Sequence, residues 1–100
     1  FIGHVHVPKV FYLTAGDALR DLDPESGTPI PLSMSSRYVV NVGSVGQPRD
    51  GNNATCYVLY DSDAATITFY RLPYDHLSAA DKILTAGLSS RFAERLLHGA

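Results

Sequence analysis

The sequence predicts a layered α+β fold, an α/β sandwich in which short strands precede two C-terminal helices. One observation is that β-branched and aromatic residues concentrate in short runs between positions 10 and 72. A second is that the apolar residues recur at helical spacing from Asp75 onward. The third is the length of 100 residues, which suits one ordinary domain with a modest core.

The composition excludes several classes of protein. Hydrophobic residues make up 45% and charged residues 18% of the chain, which is too ordinary for a disordered tail, a coiled coil or a collagen-like chain. The longest apolar runs are far shorter than the roughly 20 residues of a membrane span. A net charge of −2 leaves no basic footprint for nucleic acid. The single cysteine, Cys56, cannot form an internal disulfide, which suits a reducing, cytoplasmic compartment.

The first half of the chain predicts strands separated by a long connection. Residues 10–14 form a β-favouring run, and residues 16–36 are polar or interrupted by prolines. Within that connection, residues 30–32 are expected to form an edge strand, because the prolines forbid a central position in a sheet. Residues 37–42 are nearly all apolar, which predicts a strand buried on both faces.

The second half predicts a hairpin and two helices that lie across a sheet. Residues 55–60 and 66–72 are β-rich and are joined by a short polar segment, as in a β-hairpin. Residues 78–81, Ser-Ala-Ala-Asp, match a capping box for the first helix, although Asp75 is a competing N-cap. Gly87 ends that helix, and a second helix covers residues 90–98.

The motif Gly-His-Val-His at positions 3–6 is the sharpest local feature. In an extended chain, side chains two residues apart point to the same side, so His4 and His6 would present their imidazoles together. Imidazole is the commonest metal ligand. A zinc or dinuclear site needs further ligands, normally including carboxylates. The pair is therefore either part of a metal site or two strand-end residues bonded to their neighbours.

A glycine-rich loop at positions 43–53 is the second candidate. Such a turn after a buried strand exposes backbone N–H groups that can hold an anion. Ser44 and Arg49 are its candidate substrate-binding residues, since an arginine offers a planar fork to phosphate. The loop is not a P-loop, because no Lys-Ser/Thr follows its second glycine. The alternatives are a plain tight turn and an ion pair between Arg49 and Asp50.

Two separated blocks of sequence together resemble the C-terminal end of the calcineurin-like metallophosphoesterases. They are Phe-Ile-Gly-His-Val-His-Val-Pro at positions 1–8 and Val-Val-Asn-Val-Gly-Ser-Val-Gly-Gln-Pro-Arg-Asp-Gly at positions 39–51. The likeness is greatest to a bacterial branch of phosphodiesterase-like and diadenosine tetraphosphatase-like proteins. Val5 stands where that family commonly has Thr, and Val42 stands where it commonly has Pro.

The resemblance implies a four-layer α/β sandwich with a dinuclear metal centre at the strand ends. Residues 1–100 would form a single partial domain, the C-terminal portion of that fold, with a mixed sheet, a β-hairpin and two terminal helices. In the family the two histidines of Gly-His-x-His bind different metals. His4 and His6 would then each ligate one of two divalent transition-metal ions, with Mn, Fe, Zn, Co and Ni all suited to imidazole.

The implied function is hydrolysis of a phosphodiester, a phosphomonoester or a nucleotide by a metal-dependent phosphoesterase. The family's other ligand motifs, among them Asp-x-His, Gly-Asp-x-x-Asp and Gly-Asn-His-Asp/Glu, do not occur here. No catalytic residue is therefore assigned, and the isolated residues are expected to be inactive although their full-length parent is an enzyme. The alternatives are a non-catalytic interaction scaffold with the same fold and a self-contained α+β binding module. Self-association through an exposed sheet edge is also expected.

Overall fold

A computed structural model describes residues 1–100, the whole of the chain. In chain order its elements are β1 (Lys9–Leu13), β2 (Leu19–Leu22), β3 (Ile30–Pro31), β4 (Arg37–Asn41), β5 (Thr55–Asp61), β6 (Thr66–Leu72), α1 (His76–Thr85) and α2 (Ser90–His98). The strands precede both helices, so the predicted α+β class is confirmed.

The first sheet has the strand order β2-β1-β4, and both pairings are antiparallel. The start of the chain runs beside this sheet, where Ile2 forms a parallel bridge with Asn41. The Ile2 N–H donates to the Val40 carbonyl at 2.8 Å, and the Val42 N–H donates to the Ile2 carbonyl at 3.0 Å. The segment that leads into the histidine motif is thereby attached to the edge of β4.

The second sheet has the order β3-β6-β5, and the predicted hairpin is confirmed in β5 and β6. These two strands pair along their whole length, from Thr55 opposite Leu72 to Asp61 opposite Thr66. The hydrophobic core joins the two sheets, because its buried cluster takes residues from both: Val10, Val40, Cys56, Ile67 and Phe69. The loop between β4 and β5 passes from one sheet to the other at this core.

Two expectations about the strands are wrong. The connection 16–36 contains an additional strand, β2, which is mostly exposed and pairs with β1 through a tight turn. Strand β4 is not buried along both faces, since Val40 is 4% exposed and Val39 is 47% exposed. Its apolar run therefore leaves the sheet partly uncovered around Val39 in this chain.

The helices begin and end at capping residues. Helix α1 begins at His76, because the Asp75 side chain accepts a hydrogen bond from the Ser78 N–H at 3.0 Å. The predicted capping box at 78–81 is therefore wrong, and the competing N-cap is the right one. Gly87 follows α1 with a φ of +77°, as predicted, and Gly99 caps α2 with a φ of +65°.

The two helices pack against each other and do not lie across a sheet, contrary to expectation. They meet the rest of the chain at the loop 43–53, where the Asn53 side chain donates to the Leu97 carbonyl at 3.0 Å. The molecule is consequently long, with a greatest extent of 52 Å and a radius of gyration of 16.0 Å. A compact chain of this length has a radius of gyration of about 13 Å. Neither helix is long and apolar enough to cross a bilayer.

Candidate metal centre

The histidine motif lies in a tight irregular turn, not in a strand. The backbone φ is +79° at His4 and +67° at His6. The Val5 N–H donates to the Gly3 carbonyl at 3.0 Å, which closes a three-residue turn around His4. A γ-turn with a φ of about +75° is rare and strained. The expectation that this segment is an extended chain is therefore wrong.

Neighbouring elements hold this strained backbone in place. The Arg49 N–H donates to the His6 carbonyl at 3.1 Å, and the Asn41 side chain donates to the Gly3 carbonyl at 3.4 Å. A positive φ in a residue other than glycine costs on the order of 1–3 kcal/mol and persists only where the surroundings enforce it. The contacts from Arg49 and Asn41 therefore hold the backbone of the histidine motif in its turn.

The His6 ring is oriented by a single backbone contact. Its Nδ1 atom lies 2.8 Å from the carbonyl oxygen of Gln47. A carbonyl oxygen can only accept, so Nδ1 carries the proton and Nε2 of the neutral ring keeps its lone pair. Histidines that bind metals almost always donate their other ring N–H in this way. His6 therefore has the chemistry of a metal ligand that binds through Nε2.

The donor set of the chain fits part of a metal centre and not a complete one. His4 is exposed. No group of three or more His, Cys, Asp or Glu side chains that could hold a metal comes together in the structure. Two imidazoles are fewer than the ligands of a zinc or dinuclear site. Further ligands would have to come from outside residues 1–100.

Four consecutive carbonyl groups in the glycine-rich loop, those of residues 44–47, each accept a hydrogen bond from a different donor. In order, the donors are the Cys56 N–H at 2.9 Å, the Thr55 hydroxyl at 2.6 Å, the Tyr74 hydroxyl at 3.2 Å and the His6 ring at 2.8 Å. The loop therefore directs its carbonyls toward the rest of the chain.

The donor groups of the same loop remain available. The N–H groups of Ser44, Val45 and Gly46 have no hydrogen-bond partner within the chain. The Ser44 hydroxyl accepts from the Gln47 N–H at 3.0 Å, which leaves its own proton free to donate. The Arg49 side chain donates to the Gln47 side-chain oxygen through Nε, at 3.1 Å, and through Nη2. Its Nη1 remains free.

The structure brings His6, Ser44 and Arg49 together through a residue that the sequence did not single out. All three contact Gln47, through its carbonyl, its N–H and its side chain respectively. The alternative of an ion pair between Arg49 and Asp50 is wrong, because the Asp50 carboxylate pairs with Arg71.

Asn41 is a second residue near the site that was not predicted, although the sequence contains an indication of its role. It is a buried polar residue within an apolar strand, 4% exposed. Its side-chain oxygen accepts from the Gly43 N–H at 3.1 Å, and its amide reaches the Gly3 carbonyl. Buried amides need hydrogen-bond partners, so an asparagine in such a run indicates a structural contact. Here it links the histidine turn to the start of the loop.

Two titratable groups next to the loop, Tyr74 and Cys56, favour their neutral forms. Burial raises the pKa of the Tyr74 hydroxyl, which keeps it a donor to the Gly46 carbonyl. Burial also raises the pKa of the Cys56 thiol, while the nearby Arg71 charge acts in the opposite direction. Cys56 is 2% exposed, so it is a buried structural thiol.

Comparison with known proteins identifies two that are similar to this chain. No family model matches the sequence. The uncharacterized protein MJ0912 of Methanocaldococcus jannaschii is 35% identical over 99 residues, which cover 99% of this chain and 38% of that protein. The crystal structure of a metallophosphoesterase from Sphaerobacter thermophilus matches with a TM-score of 0.86 and 33% identity, over 100% of this chain and 41% of that one.

The chain spans about two fifths of the length of both of these proteins. The match to the solved structure includes both sheets and both helices, since it covers the whole of this chain. Residues 1–100 therefore adopt a part of the metallophosphoesterase fold, the calcineurin-like fold that the two sequence blocks predicted.

Proposed function

We propose that these residues are the C-terminal part of a metal-dependent phosphoesterase that hydrolyses a phosphodiester, a phosphomonoester or a nucleotide. The observation that carries the proposal is the orientation of His6. Its Nδ1 is fixed on the Gln47 carbonyl and its Nε2 is left to bind a metal, in a fold shared with a metallophosphoesterase. Within that fold, the sequence blocks favour the branch of phosphodiesterase-like and diadenosine tetraphosphatase-like proteins.

In this proposal His4 and His6 each hold a different divalent transition-metal ion, Mn, Fe, Zn, Co or Ni. When bound, such ions supply the Lewis acidity that phosphoester hydrolysis requires. The remaining ligands belong to a part of the protein outside residues 1–100, because no third ligand joins the histidines here. Residues 1–100 alone are therefore expected to be inactive.

The glycine-rich loop would bind the phosphate group of the substrate. Three free backbone N–H groups, the Ser44 hydroxyl and the free Nη1 of Arg49 are all hydrogen-bond donors on one loop. Such a set of donors suits an oxyanion, and the arginine adds a positive charge. Ser44 and Arg49 would thus contact the substrate from the same loop that orients His6.

An interaction scaffold with the same fold is the second candidate, and one observation favours it. An apolar groove of about 310 Å³ runs along the outer edge of β5, between Phe1, Val45 and Tyr60. Exposed apolar surface of this kind indicates an interface. We expect residues 1–100, when produced alone, to associate through this edge in concentration-dependent light scattering.

We also propose that the protein is cytoplasmic, because a reducing compartment suits the free thiol of Cys56.

The decisive experiment uses the protein expressed from its complete reading frame. We expect about two transition-metal ions per chain by elemental analysis, together with Mn²⁺-dependent hydrolysis of bis-p-nitrophenyl phosphate, p-nitrophenyl phosphate or diadenosine tetraphosphate. The variants His4→Ala and His6→Ala should each lose metal and activity. His98→Ala, an exposed histidine at the end of α2, is the matched control and should lose neither.

Two results would contradict the proposal. Metal-free protein that stays inactive with every added divalent ion would refute a metal-dependent enzyme. Full metal binding without hydrolysis of any phosphoester would instead support the scaffold.

A further inference from the structure

We propose that Thr55 and Tyr74 are positioning residues for His6, which they orient through the carbonyl groups of the glycine-rich loop. The proposal rests on the proposed function only where it treats His6 as a metal ligand. Its structural content is that two side-chain hydroxyls fix the loop so that the Gln47 carbonyl faces the Nδ1 atom of His6. Neither hydroxyl contacts His6 itself.

The direction of a peptide carbonyl depends on the backbone dihedral angles around it. The loop before Gln47 contains two glycines, Gly43 and Gly46, which leave the free chain with many accessible conformations. Further contacts must therefore restrict it, because a hydrogen bond to His6 alone would not overcome that conformational entropy. The Cys56 N–H restrains the start of the loop through the Ser44 carbonyl, and the peptide groups nearer Gln47 are held by side chains.

The two hydroxyls act on the peptide groups immediately before Gln47. The Thr55 Oγ1 atom donates to the Val45 carbonyl at 2.6 Å, and the Tyr74 hydroxyl donates to the Gly46 carbonyl at 3.2 Å. Thr55 is the first residue of β5, and Tyr74 follows closely after β6. Both donors are therefore anchored to the same hairpin, which gives the loop a fixed support.

Gln47 is restrained on its other side as well. Pro48 is fully buried, and a residue that precedes proline is confined to extended backbone conformations. The Gln47 N–H donates to the Ser44 hydroxyl at 3.0 Å. Thr55 and Tyr74 hold the two preceding carbonyl groups. Together these restraints direct the Gln47 carbonyl toward the Nδ1 atom of His6.

This arrangement determines which ring nitrogen of His6 is protonated. While the Gln47 carbonyl accepts from Nδ1, the neutral ring keeps Nε2 free to bind a metal. If the loop relaxes, the neutral ring can move its proton to Nε2. Removal of outer contacts that orient a metal-binding histidine typically weakens metal binding by roughly 10-fold to 100-fold.

The test measures the His6 tautomer in the metal-free, full-length protein. Long-range ¹H–¹⁵N correlation spectra are recorded at a pH well above the usual histidine pKa of about 6.5. We expect the Nδ1–H form in the unmodified protein. Thr55→Val and Tyr74→Phe should shift His6 toward the Nε2–H form and weaken the binding of Zn²⁺ alone by roughly tenfold. Thr55→Ser, which keeps the hydroxyl, should restore both.

Two variants of the same hairpin serve as matched controls. Thr66→Val changes a threonine at the start of β6, and Tyr70→Phe changes a tyrosine that stacks on Tyr57. The four carbonyls of residues 44–47 take their hydrogen bonds from other groups. Both controls should leave the His6 tautomer and Zn²⁺ affinity unchanged.

An Nε2–H tautomer in the unmodified protein would overturn the inference. So would an unchanged tautomer in variants whose thermal unfolding shows that they remain folded. The tautomer does not depend on hydrolysis. A protein that hydrolyses no phosphoester, but whose His6 responds to Thr55→Val, would therefore refute the proposed function and retain this inference.

Discussion

Arg71 forms an ion pair with Asp50 that fastens the glycine-rich loop to strand β6. A second N–H group of the same guanidinium donates to the Ala54 carbonyl at 2.8 Å. One side chain therefore holds the last part of the loop at two points. The side chains of Arg71 and Asp50 are only 13% and 23% exposed, so water screens this pair less than a surface pair.

Breaking this pair is expected to destabilise the protein. Asp50→Asn removes the charge that Arg71 faces, and we expect the free energy of unfolding in urea to fall by about 2 kcal/mol. Lys9→Gln is the control, since Lys9 pairs with Asp21 and Asp23 at the exposed surface. Its effect should be clearly smaller. Equal losses in the two variants would mean that burial adds nothing to the Arg71–Asp50 pair.

Gly99 allows α2 to dock against the loop, and this contact should be sensitive to a single methyl group. A Cβ at Gly99 would lie 2.6 Å from the backbone carbonyl carbon of Asn52, and Gly99 has a φ of +65°. At Gly87 the φ is +77°, but nothing lies within 4 Å of a Cβ. Gly87→Ala is therefore expected to lower the stability by about 1 kcal/mol, the cost of a left-handed backbone.

Gly99→Ala carries the same backbone cost and a clash with backbone atoms that no side-chain rotation relieves. We expect a loss of about 3 kcal/mol in thermal or urea unfolding. If both substitutions lowered the stability equally, the end of α2 would be able to move away from Asn52 without cost.

The parts of the fold that could be predicted from the sequence have local signals. The β5–β6 hairpin has β-rich runs on both sides of a short polar joint, and Gly87 ends α1 as predicted. Strand β2 could not be predicted, because its sequence Leu-Arg-Asp-Leu has little β-propensity and its pairing partner β1 supplies the stabilisation. The docking of the helices depends on contacts between distant residues, such as Asn53 and Leu97.

Only those residues of the candidate site whose side-chain chemistry suggests a role could be predicted from the sequence. The sequence identified His4, His6 and the glycine-rich loop. The role of Gln47 could not be predicted, because it acts through its backbone carbonyl, which every residue has. The turn around His4 could not be predicted either, since the contacts that enforce its positive φ come from β4 and the loop. The geometry of this candidate site thus depends on the backbone, which residue identity does not show.

The buried thiol of Cys56 should lower the free energy of unfolding at alkaline pH. Burial raises the pKa of its thiol in the folded protein above the unfolded value, which is about 8.5. As the pH rises through that value, the unfolded chain loses the proton first, so the unfolded state is favoured. We expect urea unfolding to show a stability that decreases as the pH rises above about 8.5, and Cys56→Ala should remove this decrease.

The same burial should protect the thiol from reagents. Alkylation of Cys56 with iodoacetamide is expected to be slow in the folded protein and to accelerate with urea in parallel with unfolding, since the thiol is 2% exposed. Fast labelling of protein that is folded by circular dichroism would contradict the buried position and, with it, the alkaline effect.

Asp75 should make α1 sensitive to acid. The Ser78 N–H donates to its carboxylate at 3.0 Å, and this backbone hydrogen bond is the main reason that the pKa of Asp75 lies below its usual value. A lowered folded-state pKa stabilises the protein above the unfolded pKa of about 3.9, and the stabilisation disappears as the pH falls through the folded value. Asp75→Ala should therefore reduce helicity and stability at neutral pH and make both depend less on pH in the acid range.

Asp75→Asn keeps an N-cap acceptor without the charge, so it should retain most of the neutral-pH stability but show the same weak dependence on acid pH. If far-UV circular dichroism and urea unfolding showed that Asp75→Asn is as unstable as Asp75→Ala at neutral pH, the hydrogen bond to Ser78 would not be what starts the helix.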